Sequence, residues 1–560
     1  MKKCNVHCYH DCEEEVYVND KCILHCNKNK YQKDRYSGLL SKFYDNFLNY
    51  TIEQIFDHDE LLDNKLTKED VTIYFKSNNF NNEEYNIIFL KTIFIPSCIH
   101  FPNRDDRDNF DYLKILNLFG QIHFNYCEFY ISYLDLTNTE CFFQDCHFHD
   151  RWTLYNYDVL ENKDNVIYQT CIFDKIVSNY TPNKSSELAI YKYSQFDYTC
   201  QFKNSIEFNR VKFEDLLFNT NQYNYIETNI IERLKFENCT FEEKFKLNNY
   251  TINEFLCIDS LFKNKFEFKE NTINTFLINN SNFNYISDLY GCTFKKFSIK
   301  KSIFDNFSGF ENCTFGTKNK LNEEIAMFKY ATFKDSLNLR NAKFLSGLDI
   351  KNINLQGESN FLDAEIELKN TNRETFRTLK HSFDSIGNII EANKYYQKEM
   401  QKREEELKNN LPKDFFEWII FKTHNISSKH SQDWLLSLFW IINITFIYSH
   451  YKIFMCQENL EYYILPFILN IILIMLILFE LILYKHIHII KNVLGSLVIY
   501  LIYSFITEDF NLEKFSNNIN PFSIMTGDET LTFSILIYKI IITYLIYQLI
   551  ISIRQNTRRK

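Results

Sequence analysis

The chain has 560 residues, a formal net charge of −10 and only ten glycines. The acidic balance argues against a nucleic-acid-binding protein, which would carry a basic face. Neither a glycine-rich phosphate loop, nor a Ser/His/Asp elbow, nor a paired-carboxylate constellation stands out, so we expect a protein that is not an enzyme.

The first 26 residues are rich in metal-binding side chains, with five cysteines and three histidines. Thiolates and imidazoles in two clusters, Cys4–Cys12 and Cys22–Cys26, suit tetrahedral zinc. Because the block is too small for a hydrophobic core, a bound metal would supply its folding free energy. We therefore expect structural zinc in residues 1–30. Catalytic zinc is not expected, since so short a segment offers no cleft. A cysteine-rich tail without metal is the alternative.

Residues 31–119 connect this block to the rest of the chain. Within them, Tyr36–Leu62 has apolar residues at helical spacing. We interpret this helix as a cap or connector, because the end of a stack of strands exposes unpaired backbone groups that need covering.

The middle of the chain repeats itself at a fixed period of 21 residues, in Thr251–Phe262, Thr272–Phe283 and Thr293–Phe304. A fixed period of this length is typical of stacked structural units. The period also halves, since phenylalanines recur there every 10 or 11 residues. Two short apolar columns per repeat fit one turn of a β-solenoid better than a pair of helices, whose repeats are longer.

Most half-turns carry a tripeptide in which a small residue and a phenylalanine flank one variable residue. In an extended segment the two outer positions point to the same side, here inward, and the middle one faces water. Eight cysteines occupy the small position: Cys127, Cys141, Cys146, Cys171, Cys200, Cys239, Cys292 and Cys313. We expect them to be buried small hydrophobes rather than reactive thiols. Because Met1–Asp11 is polar and unlike a signal peptide, free cysteines indicate a reducing compartment.

The tripeptide resembles the motif of the pentapeptide-repeat family, which places a small residue two positions before a central Leu or Phe. The resemblance covers residues 120–368 and implies a right-handed quadrilateral β-helix. The chain departs from the family pattern in its 21-residue spacing and in insertions at Asp158–Asn165 and Gly316–Ala326.

Short cysteine and histidine knuckles often precede such repeats. The pattern Cys-x3-Cys-x9-Cys-x2-His of the first block resembles them. The match implies four metal ligands: Cys8, Cys12, Cys22 and His25. Spacing alone leaves open that Cys4 or Cys26 replaces one of them.

After the repeats, apolar residues three and four apart predict helices at Glu374–Ile386 and Asn388–Leu411. Gly387 separates the two helices, and Pro412 ends the second. The pair resembles the helical hairpin that follows the repeats in bacterial membrane-anchored members of the family. Residues 369–430 are therefore expected to cap the solenoid and lead to the membrane.

Residues 431–560 contain four apolar segments and are expected to form a four-span transmembrane domain: Trp434–Tyr451, Tyr462–Tyr484, Val493–Ile506 and Leu531–Ile553. Lysines and arginines flank one side of them, whereas the loop Thr507–Thr530 is acidic. Under the positive-inside rule both termini then lie in the cytoplasm. The expected location is the bacterial inner membrane, with the solenoid in the cytoplasm, which agrees with free cysteines.

The last two segments and their loop have the layout of a two-helix pore module. Thr526, Gly527 and Asp528 stand where a potassium channel has its filter, but the filter's aromatic residue and second glycine are missing. We therefore expect a membrane-anchored scaffold whose solenoid binds a protein partner. The alternative is an ion-channel-like protein with the solenoid as its sensor, which would assemble as a symmetric homo-oligomer.

Overall fold

The computed structural model divides the chain into two compact units, Met1–Thr371 and Asn372–Lys560. It describes these residues: 4, 7–8, 10–11, 16–28, 39–57, 67–69, 72–73, 92–95, 98–102, 112–117, 119–136, 139–155, 166–180, 188–219, 229–318, 324–456, 468, 472, 488–520 and 532–557.

The first unit contains a β-solenoid of about 10 turns, in which each strand pairs in parallel with its counterparts on neighbouring turns. Within the described residues the solenoid strands form five parallel sheets, and His7–Cys8 and His10–Asp11 form a separate antiparallel pair. A six-stranded sheet holds Thr92–Ile95, Gln121–Asn125, Glu140–Gln144, Tyr168–Gln169, Phe196–Asp197 and Phe218–Asn219. A five-stranded sheet holds His100–Phe101, Glu128–Phe129, His147–Phe148, Ile172–Phe173 and Gln201–Phe202.

The other three sheets run through the later turns. The twelve-stranded sheet holds Trp152–Leu154, Val177–Asn179, Ile206–Asn209, Asn229–Glu237, Tyr250–Ile258, Thr272–Asn279, Thr293–Lys300, Thr314–Phe315, Ala326–Lys329, Lys343–Phe344, Leu348–Asp349 and Glu365–Ile366. The eight-stranded sheet holds Ala189–Tyr191, Val211–Phe213, Thr240–Phe241, Leu261–Phe262, Asn282–Phe283, Ile303–Phe304, Thr332–Phe333 and Asn354–Leu355. The second six-stranded sheet holds Phe245–Lys246, Phe266–Glu267, Ser287–Asp288, Ser308–Gly309, Leu337–Asn338 and Ser359–Asn360.

The strand register confirms the 21-residue period. Phe255 lies beside Phe276, and Phe276 lies beside Phe297, on consecutive turns of the twelve-stranded sheet. The step lengthens where the sequence predicts insertions, since Phe148 pairs with Phe173 and Phe304 pairs with Phe333. The columns therefore stay in register across the longer steps.

Phenylalanine columns form the core of the solenoid. The rings of Phe241, Phe262, Phe283, Phe304 and Phe333 stack with centroids 4.5 to 4.8 Å apart and planes within 8° of parallel. Alternation explains the inward direction, because every second side chain of a strand points to the same face. The spacing matches the separation of paired strands, so each turn places one ring on the ring of the turn before.

The small position beside each phenylalanine is buried, as predicted, and all eight cysteines there are free thiols. Their S–H groups donate to backbone carbonyls, as in the 2.9 Å contact from Cys313 to the oxygen of Leu289. Burial raises the pKa of Cys292 to about 12, which suppresses thiolate chemistry. One cysteine departs from the expectation of free thiols, because Cys98 is disulfide-bonded.

The residue before the small position adopts a left-handed backbone at most turns. Asn238, Asp259, Asn280, Lys301 and Tyr330 all have φ between 50° and 55°. Asparagine and aspartate tolerate this region better than other non-glycine residues, which explains their frequency at these sites. The left-handed residue marks the corner at which the chain turns from one sheet to the next.

The start of the solenoid is covered by helical and aromatic residues. Helices span Leu39–Asp57, within the predicted Tyr36–Leu62, and Tyr112–Leu116. Phe43 and Phe47 of the longer helix make edge contacts with Phe101 of the first turn, at 6.4 and 5.6 Å between ring centroids. The helix thus shields the first strands, as expected of a cap.

The second unit is helical. Its helices are Arg373–Ser385, Ile389–Asn409, Leu411–Ser428, Trp434–Cys456, His488–Thr507, Glu513–Ile519 and Phe533–Thr557. The first two form the predicted hairpin. Asn372 and Asn388 cap their N-termini by accepting the backbone N–H groups of Thr375 and Glu391, and Gly387 has φ of 75° at the break. Pro412 lies in the first turn of the third helix, where its missing N–H costs no hydrogen bond.

Two described helices are long and apolar enough to cross a membrane, Trp434–Lys452 and Phe533–Thr557. A shorter apolar stretch, Gly495–Phe505, falls within the third predicted span. The second predicted span, Tyr462–Tyr484, lies almost entirely outside the described residues. The structure therefore supports two of the four predicted spans by length and composition.

Candidate metal centres

A tight turn and a single helical turn position the second cysteine cluster. Asn19 and Asp20 have φ of 49° and 61° between the bridged residues Val18 and Lys21, as in a type I′ hairpin. The next residues form a helical turn in which the N–H of Cys26 donates to the carbonyl of Cys22. Side chains three positions apart on such a turn share one face, so Cys22 and His25 point the same way.

Cys4, Cys22 and His25 come together as one buried group. Their donor atoms all lie within 4.8 Å of one another. The Nδ1 atom of His25 is 3.4 Å from the Sγ of Cys4 and 3.1 Å from the Sγ of Cys22. The backbone N–H of Cys22 also donates to the Sγ of Cys4 at 3.1 Å.

The group agrees with part of the predicted ligand set. Cys22 and His25 are predicted ligands, and the third donor is Cys4, one of the two alternates. Cys26 is buried but lies outside the group, with its Sγ 3.7 Å from the carbonyl oxygen of Ile23. Burial raises the pKa of its thiol above the ordinary value. The side chain of Cys8 and the whole of Cys12 lie outside the described residues.

The donor chemistry of this group fits zinc. Zinc ligands at about 2.0–2.3 Å in a tetrahedron place sulfur and nitrogen roughly 3.5 Å apart, close to the two distances above. Two sulfurs and one imidazole supply three of the four donors that a closed structural site needs.

A buried lysine ties the block to the solenoid. Lys28 donates from Nζ to the carbonyl oxygens of Leu24, Cys26 and His100, at 2.9, 3.1 and 2.9 Å. The ammonium also lies 4.6 Å from the ring centroid of Phe43. Burial lowers the pKa of Lys28 to about 7, while nearby thiols oppose the shift. The lysine thus holds the first block, the capping helix and the first strand together.

A second group of metal-binding side chains lies on the outside of the five-stranded sheet, where the sequence analysis predicted none. The donor atoms of Glu128, His147 and His149 also lie within 4.8 Å of one another. Burial lowers the pKa of His149, but the carboxylates of Glu128 and Asp174 outweigh it and raise that pKa overall. Glu128 and His147 are the variable residues of the tripeptides at Cys127 and Cys146, which pair on consecutive turns, so comparing those residues from turn to turn would have paired them.

The predicted pore loop, Thr526, Gly527 and Asp528, lies outside the described residues. Beside it, the short helix Glu513–Ile519 is fixed by Lys539, whose Nζ donates to the carbonyl oxygen of Asn518 at 2.8 Å.

No protein-family model matches the chain, and no curated protein or solved structure is detectably similar to it.

Proposed function

We propose that the protein is a membrane-anchored scaffold that binds a partner protein on the outside of its solenoid. A column of tyrosines on consecutive turns, Tyr133, Tyr155 and Tyr180, carries the proposal. Ring centroids are 5.6 Å apart in the first pair and 4.8 Å in the second. The two outer tyrosines each remain 37% exposed.

This column differs from the polar ladders on the outside of the solenoid. In one such ladder Asn274 donates to Asn253 at 2.7 Å, and water solvates these side chains without loss. Stacked tyrosines instead present rigid apolar area edged with hydroxyl groups. Tyrosine is enriched at protein interfaces and at their energetic hot spots, because it buries much area at little conformational cost. The column therefore suits a protein partner.

The second half of the proposal is the anchor. The helices Trp434–Cys456 and Phe533–Thr557 have the length and composition of membrane spans. We propose that the predicted four segments cross an inner membrane with both termini in the cytoplasm, as the basic flanks favour.

We also propose that the solenoid is a right-handed quadrilateral β-helix of the pentapeptide-repeat type, with zinc in its N-terminal block. The buried small residue and phenylalanine of each tripeptide support the first point. The two sulfurs and one imidazole of the Cys4 group support the second.

A pull-down from detergent-solubilised membranes tests the scaffold. We expect the wild type to retain a partner protein that is lost from a Tyr133→Ser/Tyr155→Ser/Tyr180→Ser variant. A control variant, Tyr285→Ser/Tyr290→Ser, should retain the same partner. The control removes two other exposed tyrosines of the same solenoid. An identical set of retained proteins for all three chains would refute the assignment of the surface. Release of the full-length chain from membranes by alkaline carbonate would separately refute the anchor.

An ion-channel-like protein is a second candidate, favoured by the short helix Glu513–Ile519 between His488–Thr507 and Phe533–Thr557. This order resembles a re-entrant segment between two membrane helices. Ion flux into liposomes, abolished by Gly527→Leu, would establish this candidate. Absence of flux for monovalent and divalent ions would reject it.

A further inference from the structure

Glu128, His147 and His149 are drawn to one point by the parallel register. Glu128 and His147 lie side by side on adjacent strands of the five-stranded sheet. His149 follows His147 by two positions, so both rings stand on the same outer side. Side-chain exposures of 30%, 25% and 21% leave the group partly shielded yet open to solvent.

On one side of the His147 and His149 rings, a nitrogen of each ring lies near the same carboxylate oxygen of Glu128. The Oε2 atom of Glu128 lies 3.6 Å from Nδ1 of His147 and also contacts Nε2 of His149. On the opposite side, Oδ2 of Asp174 forms a hydrogen bond with Nδ1 of His149 at 3.0 Å. The same oxygen lies 2.9 Å from Nε2 of His147, but the angle of that contact does not allow a hydrogen bond.

The arrangement calls for a cation between Glu128 and the rings. If Asp174 holds the N–H of His149, the other nitrogen of that ring directs a lone pair at the Glu128 carboxylate. Nδ1 of His147 lies 3.6 Å from the same Oε2 atom of Glu128, so the three donor atoms, all within 4.8 Å of one another, converge on one point. One divalent ion would accept all three lone pairs.

The surroundings match those of a metal ligand set. Metal-bound histidines commonly direct their second nitrogen at a carboxylate, as His149 does here toward Asp174. Tyr130 stacks on His149 at 4.3 Å and restricts that ring, and Lys203 holds Asp174 at 2.7 Å. Two imidazoles and one carboxylate suit Zn²⁺ and its first-row neighbours rather than Mg²⁺ or Ca²⁺.

We infer that Glu128, His147 and His149 bind a divalent first-row transition-metal ion of the Zn²⁺ type on the outside of the solenoid. The ion links two consecutive turns and keeps at least one coordination position for water or for a donor atom of a ligand. The site contains no sulfur, which distinguishes it chemically from the Cys4 group.

Cobalt titration of the full-length protein in detergent, after removal of bound metal, tests the inference. Thiolate-bound Co²⁺ shows sulfur-to-metal charge transfer, whereas Co²⁺ on imidazole and carboxylate does not, so the spectrum separates the two groups. We expect His147→Gln/His149→Gln to bind one Co²⁺ fewer per chain with the charge-transfer band retained. A His381→Gln control, altering an exposed histidine of the helical hairpin, should bind as much as wild type.

A second variant tests the role of Asp174. Asp174→Asn keeps all three ligands, and we expect a roughly 10- to 100-fold weaker Co²⁺ affinity from the lost second-nitrogen contact. Circular dichroism verifies the fold of each variant. The inference would be overturned if the folded His147→Gln/His149→Gln variant bound as many Co²⁺ ions per chain as the wild type. It would also be overturned if the variant and the wild type bound equal numbers of Zn²⁺ ions.

Discussion

The phenylalanine column predicts a steep and local loss of stability when one ring is removed. Phe283 is 1% exposed and lies between Phe262 at 4.8 Å and Phe304 at 4.6 Å, with the edge of Phe266 at 5.2 Å. Its substitution by alanine deletes roughly 150 Å² of buried apolar surface, or about 4 kcal/mol at ~25 cal/mol per Å². Core Phe→Ala changes cost a similar ~3–5 kcal/mol.

Because each turn contacts only its neighbours, the loss should appear as local opening rather than as uniform destabilisation. A local loss of about 4 kcal/mol corresponds to a roughly thousandfold drop in amide protection. We expect hydrogen exchange of the full-length Phe283→Ala protein to show that drop in Thr272–Phe304. The turns before Phe213 should exchange as in the wild type.

Two matched variants separate ring loss from general damage. Phe283→Leu keeps most apolar volume but loses the ring pairs, so about 1 kcal/mol is expected. Asn282→Ala alters the exposed neighbour and should cost under about 0.5 kcal/mol. Equal protection in Phe283→Ala and Asn282→Ala would refute the stacking argument, and uniform loss over all turns would refute its locality.

Three further outcomes follow from the structure. Lys265, Asn248 and Lys244 outweigh burial and lower the pKa of Glu267 to about 2, against 4.5 ordinarily. The Glu267 carboxylate contributes roughly 1–2 kcal/mol to the stability of the fold after solvent screening. This contribution is present above about pH 4.5 and is lost as pH falls towards 2, so the melting temperatures of the wild type and Glu267→Gln should converge near about pH 2. Tyr330→Asn should raise the melting temperature, because φ of 55° costs tyrosine about 1 kcal/mol more than asparagine; an unchanged melting temperature would contradict this. Chelator should lower the melting temperature of the wild type by more than that of Cys22→Ser, and an equal effect on both would contradict metal binding by the Cys4 group.

The sequence predicts the solenoid well because its physics is repeated at every turn. The inward phenylalanines and the buried cysteines both follow from the alternation of side chains along a strand, and their burial confirms them. The strand register confirms the period of 21. The position of the insertions was also predictable, since the repeat is interrupted there. The left-handed corners carry a signal too, because Asn238, Asp259 and Asn280 each precede the small residue.

The metal-binding groups were harder to predict because they depend on which side chains become neighbours across turns. The Cys4 group mixes residues 18 positions apart, and spacing alone could not choose between Cys4 and Cys8. His147 and Glu128 lie 19 positions apart in a stretch where the period departs from 21. Only the pairing of their strands places them side by side.

The insertion between Thr317 and Glu324 is a position at which a foreign domain can be inserted into the chain. The backbone N–H of Thr317 donates to the carboxylate of Glu324 at 3.1 Å, which closes the base of the loop. Above and below it, Phe304 and Phe333 still stack at 4.7 Å, as though the intervening residues were absent. A fluorescent or affinity domain inserted there should leave the solenoid folded, so the protein can be labelled between two turns of the solenoid, far along the chain from either terminus.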